Sequence, residues 1–243
     1  MLNDASTTLS PALPSRGLSL LTFLCAGVRT FAWQHSTTGF FPPSVPTDNL
    51  SATIVAAYYF AGEGLGQAVV VSPDAGGVSR AKEFRKSMAA AAPPSAGQST
   101  PGLAMLVKQR SAASQIERMD LVGSIEGQDV ILVDDMVDTA GTLCEAAAQC
   151  KQHGARRVYA FCTHGLLSGP AAARLAKACA DGNLEYLVIT NSVPQPPMES
   201  WLDGCGALPP PKLKVLSVAP LVAEGLKRLA NNEDFGHLRL SKL

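Results

Sequence analysis

Neither sign of charge is in excess in this chain: Lys and Arg total 20 and Asp and Glu total 20 over 243 residues. A neutral chain lacks the basic field that nucleic acid or an anionic membrane surface would require, so neither partner is expected. Cysteine pairs at metal or redox spacing are also missing. Cys25, Cys144, Cys150, Cys162, Cys179 and Cys205 contain no C-x-x-C, and three of them fall on expected helices. They read as reduced, mostly core thiols, not as a zinc site or a disulfide frame. The apolar stretch Leu18–Gly27 behind Arg16 has a superficial likeness to a signal peptide but is too short to cross a bilayer. No internal repeat is present. What remains is an ordinary globular composition with 47% apolar residues, long enough for one large domain or for one complete domain and part of another.

Short apolar runs alternate with helical patterns from residue 50 onward. The expected strands are Ala68–Val71, Leu103–Val107, Val130–Val133, Val158–Cys162, Tyr186–Ile189 and Val215–Val218. The expected helices are Leu50–Phe60, Val78–Ala91, Leu143–His153, Gly169–Ala180 and Leu221–Ala230. Such alternation implies an α/β fold, a parallel sheet covered by helices on both faces. Sites in sheets of this kind lie beyond the C-terminal strand ends, where Asp74, Lys108 with Arg110, Asp134 with Asp135, and His164 are expected. Ala89–Gly102 and the proline-rich Pro194–Pro211 read as exposed insertions, and residues 1–17 as a disordered start.

The most informative stretch is Val130–Thr142. Four strand-type residues run into the adjacent carboxylates Asp134 and Asp135, then a short loop, Asp138-Thr139-Ala140-Gly141-Thr142, then a helix. Leu143, Ala146, Ala147 and Cys150 recur at i, i+3, i+4 and i+7, and Gly154 stands where a helix stop belongs. A small-residue loop under a helix N-terminus offers unpaired N–H groups to phosphate, while the paired carboxylates suit hydroxyl groups or Mg²⁺. Together they describe a site for a phosphorylated sugar diol with a metal nearby. Val69–Gly77 is a second strand ending in a tight loop, Ser72-Pro73-Asp74-Ala75-Gly76-Gly77. Gly76 and Gly77 permit close backbone approach, and Asp74 could hold Mg²⁺ through one carboxylate with a polyphosphate supplying other ligands. Lys108 and Arg110 could stabilise negative charge on a transferring group, although alone they also read as a solvated basic turn.

These segments resemble those of the ribose-phosphate diphosphokinase (phosphoribosyl-diphosphate synthetase) family, which has the type I phosphoribosyltransferase fold. Asp134–Thr142 is similar to its D-D-x-x-D-T-G-G-T loop, with Ala140 in place of the first glycine of the pair. Ser72–Gly77 is similar to its pyrophosphate loop, and Lys108 and Arg110 match the outer cations of its D-K-R-R segment. Gly39-Phe40-Phe41, Thr47–Leu50, Val122–Gly127, Thr163–Ala171 and Lys214–Leu221 also resemble family segments, so the likeness covers roughly residues 26–235. The resemblance implies transfer of diphosphate from Mg·ATP to ribose 5-phosphate, giving phosphoribosyl diphosphate and AMP for nucleotide biosynthesis. It further implies Asp74 and His35 as ligands of Mg²⁺, and a homo-oligomer or a hetero-oligomer with a full-length synthetase.

Synthetases of the family carry two similar domains, and here the first is nearly missing. The expected layout is a remnant of that domain over 18–47, with Leu18–Gly27 as a buried helix, a phosphoribosyltransferase-like domain over 48–235, and a tail over 236–243. The early aromatic-acidic loop that holds the nucleotide in the family has no counterpart. A non-catalytic partner of a full-length synthetase therefore stands beside the enzyme reading, and a salvage phosphoribosyltransferase ranks third. The chain finishes Ser241-Lys242-Leu243, a tripeptide read as an address for peroxisome- or glycosome-type organelles.

Overall fold

The computed structural model of the protein describes residues 20–22, 47–91, 100–109, 118–195, 205, 209–231 and 233. It divides into two compact units, one of Met1–Leu24 with Thr30–Leu50 and one of Cys25–Arg29 with Ser51–Leu243. In the first unit, β1 (Leu20–Thr22) pairs in parallel with β2 (Thr47–Asn49). This corrects the expected helix over Leu18–Gly27 at Leu20–Thr22. An apolar run this short satisfies its backbone equally well as helix or strand, and a partner strand decides.

The second unit is built on a seven-stranded sheet in the order β5-β4-β3-β6-β7-β8-β9. Its elements are α1 (Thr53–Gly62), β3 (Ala68–Ser72), α2 (Val78–Ala91), β4 (Gly102–Gln109), β5 (Arg118–Val122), β6 (Asp129–Val137), α3 (Gly141–Gln152), β7 (Arg157–Gly165), α4 (Ala171–Ala180), β8 (Tyr186–Thr190), β9 (Leu213–Leu216) and α5 (Ala219–Asn231). All neighbouring pairs are parallel except β4 with β5. The antiparallel edge strand β5 was not expected from the sequence, and it makes the sheet mixed. The strand expected at Val215–Val218 lies two residues earlier, because Leu213 pairs with Leu187 while the Val218 amide bonds Asn191 Oδ1 at 2.9 Å.

Two-residue alternation along the strands sorts the core onto the two faces. Val69, Val71, Val130, Leu132, Ala160 and Ile189 face one side, where Leu143, Ala146, Ala147 and Cys150 of α3 and Leu175 of α4 cover them. Val70, Ile131, Val133, Phe161 and Val188 face the other, under Ala56, Ala57 and Phe60 of α1 and Ala81, Phe84 and Met88 of α2. The helical stripe expected for α3 is thus its buried face, and Gly154, at φ +83°, ends that helix in the left-handed conformation.

The strand order reverses between β3 and β6. From β3 the chain moves outward to β4, and from β6 it moves the opposite way to β7, β8 and β9. A crevice opens at such a reversal beyond the C-terminal strand ends. The loops after β3 and β6 flank it.

Candidate active site

Strand β6 is buried from Asp129 to Val133 and half-buried from Asp134 to Met136. Asp134 and Asp135 therefore lie within the C-terminal half of the strand, not beyond it, because β6 stays paired with β7 as far as Val137 and Gly165. One guanidinium bridges them: Arg80 Nη1 lies 2.9 Å from Asp134 Oδ1, and Arg80 Nη2 lies 2.9 Å from Asp135 Oδ2. The Asp135 amide also donates to Asp134 Oδ1 at 2.9 Å. Burial pushes the Asp134 carboxyl up and the neighbouring Asp135 charge adds to this, while Arg80 opposes both, leaving it at about 7. A pair in this state accepts hydroxyl donors or a cation readily.

The loop after β6 turns on Ala140, which has φ 59° and occupies the N-cap of α3 with no side-chain cap bond. No acidic residue stands in the first turn of α3. The helix dipole and the first amides of α3 are thus left for an external anion. Asp138 and Thr139 are exposed, as is Thr142, so a ligand reaches the loop from solvent. The β7–α4 segment braces it from the side. Leu166 and Leu167 amides donate to Val137 O, the Ser168 amide donates to Asp138 O at 3.1 Å, and the Ser168 hydroxyl donates to Asp138 Oδ1. Arg174 of α4 donates through Nη1 to Thr139 O at 2.9 Å.

The loop after β3 is ordered from within. Buried Ser72 donates its hydroxyl to Asp74 O at 2.6 Å, and Asp74 Oδ1 accepts the Gly77 amide at 2.8 Å. Gly77 has to lack a side chain, since a Cβ there would stand 2.6 Å from Ser72 Oγ and 3.1 Å from Arg80 Nη1. Asp74 and Gly76 are exposed. Among the described residues no group of three or more His, Cys, Asp or Glu side chains is arranged to hold a metal by itself. One exposed carboxylate fits Mg²⁺ that arrives on a polyphosphate, the usual form of Mg²⁺ binding at nucleotide sites.

Residues 72–77 and 134–142 thus come to one crevice, with Arg80 between them. Lys108 pairs in β4 opposite Met119, within the ladder and not past the strand end, because β4 continues to Gln109 against β5. Arg110 and His35 lie outside the described residues. His164 sits opposite Met136 at the end of β7, with Nδ1 2.8 Å from Ser192 Oγ. Burial lowers its pKa, against the nearby Asp135 charge. Arg80 was legible only as one of four basic residues on α2. Its role depends on β3 lying beside β6, which no local pattern states. Ser168 and Arg174 were not singled out. Ser168 stood inside a family-like segment, and only the passage of the β7–α4 segment and of α4 along the loop reveals the two residues.

Residues 57–239 match the model of the phosphoribosyl synthetase-associated domain, so the chain belongs to that family. It is 40% identical over 200 residues to a ribose-phosphate pyrophosphokinase of Helicobacter hepaticus, covering 82% of this chain and 56% of that protein. A ribose-phosphate pyrophosphokinase of Gloeobacter violaceus is 38% identical over 185 residues, covering 76% and 49%. The crystal structure of phosphoribosylpyrophosphate synthetase from Mycobacterium smegmatis superposes with a TM-score of 0.63 at 31% identity, covering 82% of this chain and 56% of that one. The fold is therefore the type I phosphoribosyltransferase-like α/β fold. The chain spans about half the length of the curated relatives it matches.

Proposed function

We propose that this chain is a ribose-phosphate diphosphokinase, moving diphosphate from Mg·ATP to the 1-hydroxyl of ribose 5-phosphate with release of AMP. The observation that carries the reading is Arg80, whose guanidinium holds the Asp134–Asp135 pair and whose helix α2 starts directly after the Ser72–Gly77 loop. A sugar-phosphate site and a diphosphate site must adjoin for this transfer, and the nearness of residues 72–77 to residues 134–142 supports that reading. The 5-phosphate sits on the backbone of Asp138, Thr139, Ala140, Gly141 and Thr142, and the ribose hydroxyls donate to Asp134 and Asp135. Asp74, with His35, would hold the Mg²⁺ that accompanies the nucleotide, which would supply charge neutralisation on the polyphosphate. Ser72, Gly76 and Gly77 shape the loop that receives the diphosphate. The ribose 1-hydroxyl attacks the β-phosphorus in line, AMP leaves, and Lys108 with Arg110 stabilises the charge on the diphosphoryl group in transit. AMP formation that depends on ribose 5-phosphate tests this, and no turnover by the purified chain at saturating Mg·ATP refutes stand-alone catalysis.

A second reading is a non-catalytic partner that assembles with a full-length synthetase. An active, monodisperse homo-oligomer of this chain counts against it, and dependence of activity on an added full-length synthetase supports it. Ser241–Leu243, outside the described residues, is proposed to direct import into peroxisome- or glycosome-type organelles. Microscopy of an N-terminally tagged chain decides this: organellar signal that becomes cytosolic on deleting the tripeptide is expected, and cytosolic signal from the intact chain refutes it.

A further inference from the structure

Ala140 is a non-glycine residue in the left-handed region, at φ 59° and ψ 7°. For an L-residue with a Cβ that conformer is disfavoured by roughly tenfold, so neighbouring contacts must hold it there. The contacts seen come from the β7–α4 segment and grip the loop on the N-terminal side of Ala140. Arg174 Nη1 bonds Thr139 O at 2.9 Å, and Ser168 bonds Asp138 twice, through its amide to the main-chain oxygen and through its hydroxyl to the carboxylate. The approach of Arg174 also accounts for Gly141, where a Cβ would lie 3.2 Å from Nη1. On the C-terminal side the loop passes straight into α3, whose first interior bond runs from the Cys144 amide to Ala140 O at 3.0 Å.

We infer that Ser168 and Arg174 are positioning residues that clamp the phosphate loop in its left-handed, anion-ready form around Ala140. The inference rests on the reading of residues 138–142 as the 5-phosphate site. A loop already fixed in the binding conformation binds without first crossing to it, so the clamp raises affinity while making no contact with the ligand. A glycine at position 140 would need no clamp, because glycine enters the left-handed region freely. Alanine there makes phosphate binding depend on α4.

This dependence gives a test that a direct contact between Arg174 and phosphate would not pass. In the full chain, Arg174→Met and Ser168→Ala should each weaken ribose 5-phosphate binding by about tenfold in calorimetry, with the melting temperature unchanged. Hydrogen exchange of the ligand-free protein should quicken by about tenfold at the Cys144 amide. Adding Ala140→Gly to either variant should return affinity and exchange to within about threefold of the parent chain. Loss of affinity that Ala140→Gly fails to restore would overturn the inference, since Arg174 would then be touching the ligand. Unaltered exchange in both single variants would overturn it as well, with or without ligand. Absence of ribose 5-phosphate binding by the parent chain would refute the assignment of the site, while the exchange comparison would still decide the clamp.

Discussion

Replacing Asp134 by asparagine separates the electrostatics of the carboxylate pair from the fold. In the folded chain Asp134 is held at about 7 by burial and by Asp135, against an unfolded value of about 3.9. Between these values the folded state binds a proton that the unfolded state does not, so stability falls as pH rises and the loss is complete above about pH 8. For one proton with a pKa near 7, the difference between pH 6 and pH 8 is about 1.4 kcal/mol at most. The side chain is 21% exposed, which reduces this toward ~1 kcal/mol. Asp134→Asn removes the proton but keeps an oxygen to accept from Arg80 and from the Asp135 amide. Urea unfolding at pH 6 and pH 8 should therefore show the parent chain losing about 1 kcal/mol more than the variant. Other titrating groups, His164 among them, are common to both chains and cancel. Asp135→Asn removes the like charge beside Asp134 but not its burial, so it should reduce the pH dependence only in part. Equal pH dependence in parent and variants, within about 0.3 kcal/mol, would refute the argument. Both substitutions should abolish ribose 5-phosphate binding, because each removes a hydroxyl-accepting charge from the crevice.

The loop after β3 and the start of β6 give two further expectations. Gly77→Ala drives a methyl against Ser72 Oγ at 2.6 Å, and that hydroxyl is fixed on Asp74 O. The KM for Mg·ATP should rise about tenfold with a stability loss of about 1–2 kcal/mol; unchanged KM would show that the loop does not meet the nucleotide. Asp129 is fully buried and accepts from Arg156 at 2.9 and 2.5 Å, from Arg157 at 3.0 and 2.7 Å, and from the Gly66 amide at 3.2 Å. Asp129→Ala should cost about 2–3 kcal/mol in urea unfolding, below the usual figure for a buried pair because both arginines are near half exposed. A loss under about 1 kcal/mol would show that the arginines do not anchor the strand.

The parts of the fold that sequence reasoning captured are those fixed locally. Leu143, Ala146, Ala147 and Cys150 announce a helix face whatever covers it, and that face is buried. Val130–Val133 followed by Asp134 announces a strand leaving the core, and burial changes at Asp134. The parts that stayed hidden depend on partners far along the chain. Leu20–Thr22 became a strand because Thr47–Asn49 lies alongside, and Arg118–Val122 because Met105–Gln109 offers an edge. Within the site, Asp134, Asp135 and Asp138–Thr142 were legible because one contiguous stretch supplies them. Arg80, Ser168 and Arg174 were not, since each reaches the site from another strand-helix unit. The substitution at position 140 was visible, but its meaning was not: alanine is small enough for the loop, yet its backbone angle is the one glycine would favour.

Of the three carboxylates on strand β6, Asp129 and Asp134 stand five residues apart in environments that act in opposite directions. Burial pushes both up. At Asp129, hydrogen bonds from Arg157 and Arg156 and the Gly66 amide outweigh it and hold the carboxyl far below the usual range. At Asp134, Asp135 adds like charge and shares Arg80, so the shift stays upward. Among the described residues, the N-terminal end of the strand is thus electrostatically satisfied, and the C-terminal end has fewer cationic donors. A ligand that brings hydroxyl donors or a cation to Asp134 and Asp135 supplies what is missing and must lower the pair's proton affinity. Ribose 5-phosphate binding at pH 7 should accordingly release a fraction of a proton from the pair. Calorimetry in two buffers of different ionisation enthalpy measures that fraction, and repeating it at pH 9, where the pair is already ionised, should remove it. Protons released by the sugar phosphate itself have their own pKa near 6 and are nearly gone at pH 7. A binding enthalpy at pH 7 that does not depend on buffer would mean that the carboxylates never meet the sugar.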